Sequence, residues 1–424
     1  MVQKIKNFLY FPLASYFRFF AKIRLSRWNP RIFAITGSSG KTTLLYLIET
    51  QLKDKAKYSF KANSSYGIPF DLLDLHRETL TIEEWPKLFL LAPIRAFKRP
   101  PVEKLYVVEV DCDRPKEGDF LGEFLKPEVA IWISSTRTHS MNFDYLVENK
   151  VFKSVEDAIS AEFASFVKWT RKLIIANIGY EQIKKEIRKI KKPSTKISAQ
   201  EGLKNYRVSV EGTEFKINNQ SFNFAYFFPK ETSASLQAVS KLMNYLKFPL
   251  DPSYPGLKVP PGRNSVFRGI RQTVLVDSTY NANLDSMKAV VSAFGALEKR
   301  KKWLVLGDML EQGKQEKEEH QKLAKLIKEF DFERIILMGP RISEYTYPLL
   351  LSLTEKEIVV EKFENPGEVL AYLKRELKGG ETILFKGARF LDGVIEHLLY
   401  DKSEASKLPR REKVWDKWRR KWGV

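Results

Sequence analysis

The residues with the clearest capacity for chemistry lie in one short glycine-containing segment near the amino terminus. The apolar run Phe33-Ala34-Ile35 predicts a buried strand, and a helical pattern opens at Lys41. The polar residues of this segment are Thr36, Gly37, Ser38, Ser39, Gly40, Lys41, Thr42 and Thr43. Glycines let backbone N–H groups point at phosphate oxygens, the helix start adds positive charge, and a lysine and a threonine serve the terminal phosphates and Mg²⁺. We therefore predict a phosphate-binding loop rather than an ordinary strand–turn–helix corner, although only two residues separate Gly37 from Gly40.

Two further polar positions follow predicted strands. Glu109 lies in the run Leu105–Val110 with Asp111 just after it, and His139 lies in the polar loop after Val129–Ile133. Carboxylates at the carboxyl end of a strand, in a sheet that also carries a phosphate loop, lie where Mg²⁺ is usually held. Taken singly, Glu109 is an ordinary solvated carboxylate and His139 an ordinary loop histidine. After a phosphate loop, the carboxylates of Glu109 and Asp111 indicate a site for a nucleotide with Mg²⁺.

The elements around these residues alternate between buried strands and amphipathic helices. This alternation predicts a parallel, doubly wound sheet. A segment of alternating polar and apolar residues, 206–228, predicts an antiparallel element, and the Pro- and Gly-rich segment 248–262 marks a domain boundary. After it the alternation restarts, with strands predicted at 273–277, 303–306, 334–338, 358–363 and 383–385.

Composition narrows the class of protein. The chain has 424 residues, one cysteine (Cys112) and four histidines, with a formal net charge of +20. One cysteine excludes internal disulfides and fits a reducing cytoplasm, and four scattered histidines do not predict a zinc site. The charge indicates either an anionic partner, which would be a nucleotide, nucleic acid or anionic lipid surface, or a generally basic proteome. Nucleic acid is not expected, because the basic residues are spread out and no recognition module appears.

Both ends of the chain are aromatic and basic. In residues 1–28, phenylalanines and tyrosines are interleaved with lysines and arginines, and Arg18 and Lys22 argue against a membrane-spanning helix. This segment predicts a helix that lies on the inner membrane surface or packs on the flank of its own domain. In the C-terminal tail, Trp415, Trp418 and Trp422 share one helical face. This face could insert at a membrane surface or pack on the rest of the protein, and we favour packing.

Several segments together resemble the Mur ligases, the ATP-dependent amide-forming enzymes of peptidoglycan synthesis. The segments are Thr36–Thr43, Asn63–Pro69, Glu109–Glu117, Asp277–Met287, Leu306–Glu311 with His320, and Lys386–Arg389. The resemblance runs from about Arg31 to about Leu399 and is most specific in Tyr280–Asn283 and Leu306–Glu311. Within the family it is strongest to the branch that adds D-alanyl-D-alanine to the UDP-muramoyl tripeptide.

The resemblance implies an α/β fold and a domain order. It implies a central P-loop-type doubly wound ATPase domain at 30–258, followed by a Rossmann-like C-terminal Mur ligase domain at 259–405. Residues 1–29 would be the aromatic–basic helix and 406–424 the tryptophan-rich tail. The implied reaction uses ATP and Mg²⁺: an acceptor carboxylate takes the γ-phosphoryl group, and an amine such as D-alanyl-D-alanine then displaces phosphate.

The resemblance also implies roles for single residues. Lys41 would stabilise the β- and γ-phosphates, Thr42 and Glu109 would hold the first Mg²⁺, and His139 a second. Residues on the second domain's nucleotide side would be Asp277, Tyr280, Asn281, Asn283 and Arg263, with Lys386 and Arg389 after the last strand.

Two departures from the family keep alternatives open. The family's N-terminal UDP-sugar-binding domain has no counterpart before Gly37, and the family's carbamylated lysine aligns with Glu162 or Phe163. A Glu162 carboxylate would supply the charge directly. The chain is therefore predicted to be a cytoplasmic peptidoglycan-precursor ligase, peripheral to the inner membrane in one version. The alternatives are a non-catalytic, membrane-associated protein that binds nucleotide or precursor, and a ligase acting on a lipid-linked precursor.

Overall fold

A computed structural model describes residues 2–60, 62–78, 81–298, 301–353, 358–387 and 390–424, with the backbone alone for residues 2–8. The helices are α1 Val2–Trp28, α2 Lys41–Leu52, α3 Gly67–Leu73, α4 Trp85–Ala96, α5 Glu117–Leu125, α6 Asp144–Glu148, α7 Val155–Val167, α8 Glu181–Lys189, α9 Thr232–Leu246, α10 Leu284–Gly295, α11 Glu316–Ile327, α12 Tyr347–Leu353, α13 Pro366–Glu376, α14 Leu391–Leu398 and α15 Lys413–Lys421. The strands are β1 Arg31–Thr36, β2 Ala56–Ser59, β3 Leu105–Val110, β4 Val129–Trp132, β5 Leu173–Asn177, β6 Ser194–Ile197, β7 Leu203–Val208, β8 Thr213–Ile217, β9 Gln220–Phe224, β10 Ser265–Arg268, β11 Val274–Ser278, β12 Lys302–Gly307, β13 Arg334–Met338, β14 Val359–Phe363 and β15 Thr382–Lys386.

The chain forms two compact units. The first comprises residues 1–136, 145–198 and 234–256, and the second comprises 137–144, 199–233 and 257–424. These units differ from the predicted domain 30–258, because 137–144 and 199–233 belong to the second unit. The reason is apolar burial: Phe227, which follows β9, is part of the second unit's core together with Val276 and Phe294.

The first unit is built on a six-stranded sheet. Its order is β2-β3-β1-β4-β5-β6, and all of its strand pairs are parallel. The chain moves from β1 to one side of the sheet and later returns to the other side with β4. The carboxyl ends of β1 and β4 therefore flank the point where strand order reverses, which is where ligands bind in open α/β sheets.

The second unit is built on a sheet with the order β10-β11-β15-β12-β13-β14. All neighbours are parallel except β10, which pairs antiparallel with β11. The last strand, β15, inserts between β11 and β12, so residues from three distant parts of the chain meet at one edge. The strands β7, β8 and β9 form a separate antiparallel sheet, as the alternation in 206–228 predicts. The α/β fold class is confirmed.

The aromatic amino-terminal segment is a helix that packs within the first unit. Ala14, Phe17 and Ala21 of α1 are fully buried, and the Phe17 ring stacks on Phe89 of α4 at 5.0 Å between centroids. The structure thus shows the face of α1 that carries Ala14, Phe17 and Ala21 packed on its own domain. A membrane contact by the same helix stays a prediction. No helix among the described residues combines the length and the apolar character needed to cross a lipid bilayer.

The carboxyl-terminal tail packs within the second unit. The Trp415 ring lies 6.1 Å from that of Phe390, and a Cβ on Gly393 of α14 would meet the Val424 side chain at 2.5 Å. Trp418 is about half exposed. The tail therefore packs on the body, as its pattern favours, with one of its tryptophans left at the surface.

Candidate active site

The loop after β1 has the geometry of a phosphate cradle. Gly37 has φ 139°, and a Cβ placed there would lie 2.8 Å from the backbone N and O of Ser134. Gly40, at φ 81°, directly precedes α2, which begins at Lys41. Only glycine combines this backbone conformation with so close an approach. The helix start adds the partial positive charge that anions favour.

The loop is held by the segment that follows β4. The Ser39 N–H donates to Ser134 Oγ at 2.8 Å, and the Ser38 N–H donates to the Ser134 carbonyl at 3.3 Å. The hydroxyls of Ser38 and Thr136 share a hydrogen bond of 2.8 Å. Ser134 and Thr136 are residues of the candidate site that the sequence pattern did not single out. Their signal is the polar run directly after a buried strand, next to β1 in the sheet.

Thr42 contacts Glu109, and Lys41 contacts Asp111 two residues further along the chain. The Thr42 hydroxyl donates to Glu109 Oε2 at 3.0 Å, and Glu109 is buried. Lys41 Nζ lies 2.7 Å from Asp111 Oδ1 and also donates to the Gly37 carbonyl. Burial is the largest single influence on the pKa of Lys41 and lowers it, but the charge and hydrogen bond of Asp111, together with the charges of Glu109 and Asp113, raise the pKa overall. Lys41 therefore stays an ammonium at neutral pH.

The donor set of Thr42 and Glu109 suits Mg²⁺. Mg²⁺ takes hard oxygen ligands and is commonly held by one or two protein oxygens with the phosphates of a nucleotide. A hydroxyl and a carboxylate at 3.0 Å, beside a phosphate cradle, provide such oxygens. Among the described residues, no group of three or more His, Cys, Asp or Glu side chains is arranged to hold a metal ion by itself. Any Mg²⁺ here would depend on the nucleotide for the rest of its ligands.

His139 does not join these residues in the first unit. It belongs to the second unit, where its Nδ1 lies 2.5 Å from Glu311 Oε2. The hydrogen bond with His139 lowers the pKa of Glu311, so the carboxylate and the imidazole form an ion pair when the imidazole is protonated. The predicted role of His139 as a second metal ligand stays a prediction.

Glu162 lies in the middle of α7, a helix that packs against α5. Its Oε1 accepts a hydrogen bond of 2.6 Å from the N–H of Gly118 in α5. Burial raises the pKa of Glu162, against the opposing effect of the N–H groups of Gly118 and Lys116. Phe163, the other candidate for the lysine position, is buried against Trp132 at 6.1 Å between rings. Only Glu162 offers a carboxylate, and that carboxylate contacts the start of α5.

The second unit brings Asp277 and Lys386 to the edge where β11 and β15 end. Asp277 is fully buried; its Oδ1 accepts from the N–H and hydroxyl of Thr279 at 3.0 and 2.7 Å. Lys386 Nζ donates to the Asn281 carbonyl at 3.1 Å and to Ser278 Oγ at 3.3 Å. Burial raises the pKa of Asp277 to about 6. Burial and then the charge of Arg263 lower the pKa of Lys386 to about 7.

The loop between β11 and α10 carries the remaining predicted residues. Tyr280 is half exposed, with the guanidinium carbon of Arg263 4.5 Å from its ring centre. Asn281 Oδ1 accepts from the Ala282 N–H, and Asn283 Oδ1 caps α10 by accepting from the Ser286 N–H at 2.9 Å. Contacts of these residues with a nucleotide stay a prediction. Arg389 lies outside the described residues.

Comparison with known proteins finds a family match within the second unit. Residues 262–389 match the family described as Mur ligase, glutamate ligase domain. The UDP-N-acetylmuramoyl-tripeptide–D-alanyl-D-alanine ligase of Buchnera aphidicola is 24% identical over 399 residues, covering 89% of this chain and 77% of the relative. The enzyme of the same name from Bacillus subtilis is 24% identical over 381 residues, covering 87% and 75%.

Solved structures share the fold. The MurF ligase from Thermotoga maritima in complex with ADP superposes with a TM-score of 0.73, at 20% identity, over 93% of this chain and 84% of that one. MurC from the same organism gives a TM-score of 0.59 at 14% identity, over 89% and 76%. The described chain thus has the fold of the Mur ligases along most of its length.

Proposed function

We propose that this chain, whose residues 262–389 are a Mur ligase C-terminal domain within a Mur ligase fold, is an ATP-dependent ligase that forms an amide bond on a peptidoglycan precursor. The observation that supports it most is the joint geometry of the phosphate cradle after β1 and the hydrogen bond between Thr42 and Glu109. The relatives are named as ligases of D-alanyl-D-alanine and the UDP-muramoyl tripeptide. We therefore propose the same class of acceptor and amine for this chain.

The residues of the cradle would act by position and charge. The N–H groups of the loop and the start of α2 would hold phosphate oxygens, and Lys41 would neutralise charge on the transferred phosphoryl group. Thr42 and Glu109 would hold Mg²⁺, which, when bound, neutralises the β- and γ-phosphates. Asp111, which pairs with Lys41, orients its ammonium beside the Gly37 carbonyl.

The amine side of the reaction would fall to the second unit. An incoming amine must be uncharged to attack an activated carboxyl group, and a nearby group with a pKa close to 7 accepts protons most effectively at neutral pH. Lys386, with a pKa lowered to about 7 and fixed by Ser278 and Asn281, has that property. We propose Lys386 as the group on this side with the greatest influence on the pH dependence of activity.

The test is release of phosphate from Mg-ATP by the purified full chain. We expect release only when the UDP-muramoyl tripeptide and D-alanyl-D-alanine are both present, with the amide product identified by mass spectrometry. Lys41→Ala should lower the rate by about 10²–10³-fold, the usual effect of losing one charge-stabilising group. Lys184→Ala, on the exposed surface of α8, is the matched control and should leave the rate unchanged. Release that continues at the original rate in Lys41→Ala would contradict the proposal.

A non-catalytic protein is the second candidate, and one observation favours it. Glu162 Oε1 accepts a hydrogen bond from the Gly118 N–H at the start of α5, and this contact would compete with a role in place of the carbamylated lysine. On this reading the chain would bind nucleotide, with Lys41→Ala abolishing binding, yet release no phosphate with soluble or lipid-linked precursors. Phosphate release with a lipid-linked precursor alone would instead support the ligase with a membrane-held acceptor.

We further propose that the protein works in the cytoplasm. A reducing compartment suits its one cysteine, Cys112, which is buried and has a raised thiol pKa because of burial and the nearby charges of Glu162 and Glu117. Its location at the inner membrane surface is a separate proposal that depends on an exposed surface of the first unit.

A further inference from the structure

The outward face of α4 is apolar. Leu90 and Ile94 on this helix and Phe97 just after it are 72, 67 and 65% exposed. Their spacing of four and three residues puts all three on one face, which we name the α4 stripe. Large apolar side chains that are exposed as a group mark a contact with another molecule more often than isolated ones do.

The α4 stripe contributes little to holding the first unit together, because its side chains are mostly exposed. The opposite face of α4 provides the packing, with Leu88, Ala92 and Ala96 buried. The neighbouring helix α1 is fastened alongside: the Tyr16 hydroxyl donates to the Phe89 carbonyl at 2.8 Å, and Arg27 donates to the Ala96 carbonyl at 3.2 Å. The α4 stripe therefore lies on the exposed face of a helix whose opposite face is packed in the first unit.

The surroundings of the stripe are basic. Residues 85–102 contain four basic residues and no acidic one, and residues 9–28 of α1 likewise contain four basic residues and no acidic one. Lys98 is paired with Asp74, and Lys87 lies 3.9 Å from Glu78. Lys22 on α1 and Arg99, two residues after Phe97, are exposed and add positive charge to this part of the first unit.

The two helices also combine apolar and basic groups directly. The guanidinium carbon of Arg27 lies 5.9 Å from the centre of the Phe97 ring. On α1, Phe19 is 62% exposed, with Lys22 one turn further along. Apolar side chains within a basic frame are the composition of helices that lie in the headgroup region of an anionic bilayer.

We propose that the α4 stripe, with its basic frame, is a docking surface for the anionic surface of a lipid bilayer. The stripe would enter the headgroup–acyl boundary while the lysines and arginines contact lipid phosphates. A second copy of this chain is the less favourable occupant, because a two-fold contact would set one basic surface against another. The proposal does not depend on the ligase activity, since neither helix carries a residue of the phosphate cradle.

Vesicle flotation of the purified full chain tests the proposal. We expect co-flotation with vesicles of phosphatidylglycerol and phosphatidylcholine, and little with phosphatidylcholine alone. The variant Leu90→Ser/Ile94→Ser/Phe97→Ser should bind the anionic vesicles about tenfold less, because three apolar side chains no longer leave water. Val151→Ser, which changes an exposed apolar residue elsewhere in the first unit, is the matched control and should float like the original chain. Ile94→Ser alone serves if the triple variant loses its thermal unfolding transition.

A second variant tests the basic frame. Lys22→Glu/Arg99→Glu should weaken flotation on anionic vesicles and reduce its sensitivity to salt. Flotation that is absent, equal on neutral vesicles, or unchanged by the triple variant would overturn the proposal. So would a concentration-dependent dimer, detected by sedimentation, that the triple variant disrupts, because a second copy would then be the occupant. Phosphate release serves as an independent readout: its failure bears on the ligase and leaves the docking result standing.

Discussion

The carboxyl ends of the two main sheets have a similar backbone arrangement, but their lysines have different electrostatic surroundings. At each, a glycine with positive φ follows a central strand and lies against a neighbouring backbone: Gly37 against Ser134, and Gly387 against Gly307. In the first unit the adjacent lysine, Lys41, is paired with a carboxylate at 2.7 Å. In the second, Lys386 is buried with neutral oxygens as its hydrogen-bond partners among the described residues.

The two lysines therefore differ in protonation, and each state suits a different chemical task. A paired lysine keeps its proton and suits a permanent task such as neutralising phosphate. A lysine that is buried without a carboxylate as its hydrogen-bond partner, and that lies near another cation such as Arg263, has its pKa shifted toward neutrality and suits a task in which a proton is exchanged. The comparison therefore predicts that substitutions which add bulk will destabilise the carboxyl end of either sheet. Only the carboxyl end of the second sheet, which carries Lys386, should also make stability depend on pH.

The largest expected effect is that of Gly387→Ala. A Cβ at Gly387 would lie 2.4 Å from the backbone N and Cα of Gly307, and φ is 134°. Since backbone rather than a flexible side chain must move, we expect a loss of about 4 kcal/mol in the free energy of unfolding, from overpacking and backbone strain together. Gly380→Ala, with φ 78° and no atom within 4 Å, is the control. It should cost about 1 kcal/mol. Equal losses in urea unfolding of the two variants would show that the close approach is not what matters.

Gly37→Ala should have the next largest effect, about 3 kcal/mol, because its Cβ would meet Ser134 backbone atoms at 2.8 Å. The same change moves the cradle off Ser134, so binding of ADP, measured by calorimetry, should weaken as well. Gly256→Ala, in the same unit at φ 75° with open space around it, is the control for strain alone. ADP affinity that is unaltered in Gly37→Ala would argue against a cradle at this loop.

The pH dependence of stability tests the buried lysine. The pKa of Lys386 is about 7 in the folded chain, below its unfolded value of about 10.4. The unfolded chain therefore binds more protons above about pH 7, and stability should rise with pH by up to about 1.4 kcal/mol per unit. Below about pH 7 both states hold the proton, and this contribution stays constant.

Lys386→Met removes this contribution and should flatten the rise, so the difference in stability between the original chain and the variant should change by about 2–3 kcal/mol from about pH 7 to pH 9. Urea unfolding at several pH values measures it. Lys325→Met, exposed on α11, is the control and should keep the original slope. A slope in Lys386→Met equal to that of the original chain would mean that Lys386 is not the group responsible.

The central strands are predictable from sequence because parallel strands buried on both faces are continuous apolar runs. β3, β4 and β12 follow this rule. The edge strands β2, β6 and β10 are missed: each has only four residues, and β6 reads Ser-Thr-Lys-Ile, so their pairing depends on a neighbour that the local pattern does not contain.

The candidate site divides in the same way. The phosphate cradle can be predicted from the sequence because residues 37–42 are consecutive and the loop's geometry follows from their residue types. The state of Lys386 is not, because its burial depends on Ser278 and Asn281, more than 100 positions away. His139 shows the same limit: its position after β4 predicts a place in the first unit, whereas its contact with Glu311 belongs to the second.

The smallest expected effect is that of Asn283→Ala, which tests whether Asn283 is a helix cap only or also a nucleotide ligand. Asn283 and Asn365 are both N-caps in the second unit with nearly the same backbone, and their side chains accept from Ser286 N–H at 2.9 Å and Glu368 N–H at 3.0 Å. Replacing either by alanine should cost about 1 kcal/mol of stability. If Asn283 also contacts the nucleotide, Asn283→Ala alone should weaken ADP binding about tenfold, as expected for a lost hydrogen bond. Asn283 Nδ2 also donates to the Arg137 carbonyl at 3.3 Å, a contact that Asn365→Ala does not reproduce. Equal ADP affinities in the two variants would leave Asn283 with these structural roles and shift nucleotide recognition to Tyr280 and Arg263, because both substitutions remove an N-cap hydrogen bond of the same kind.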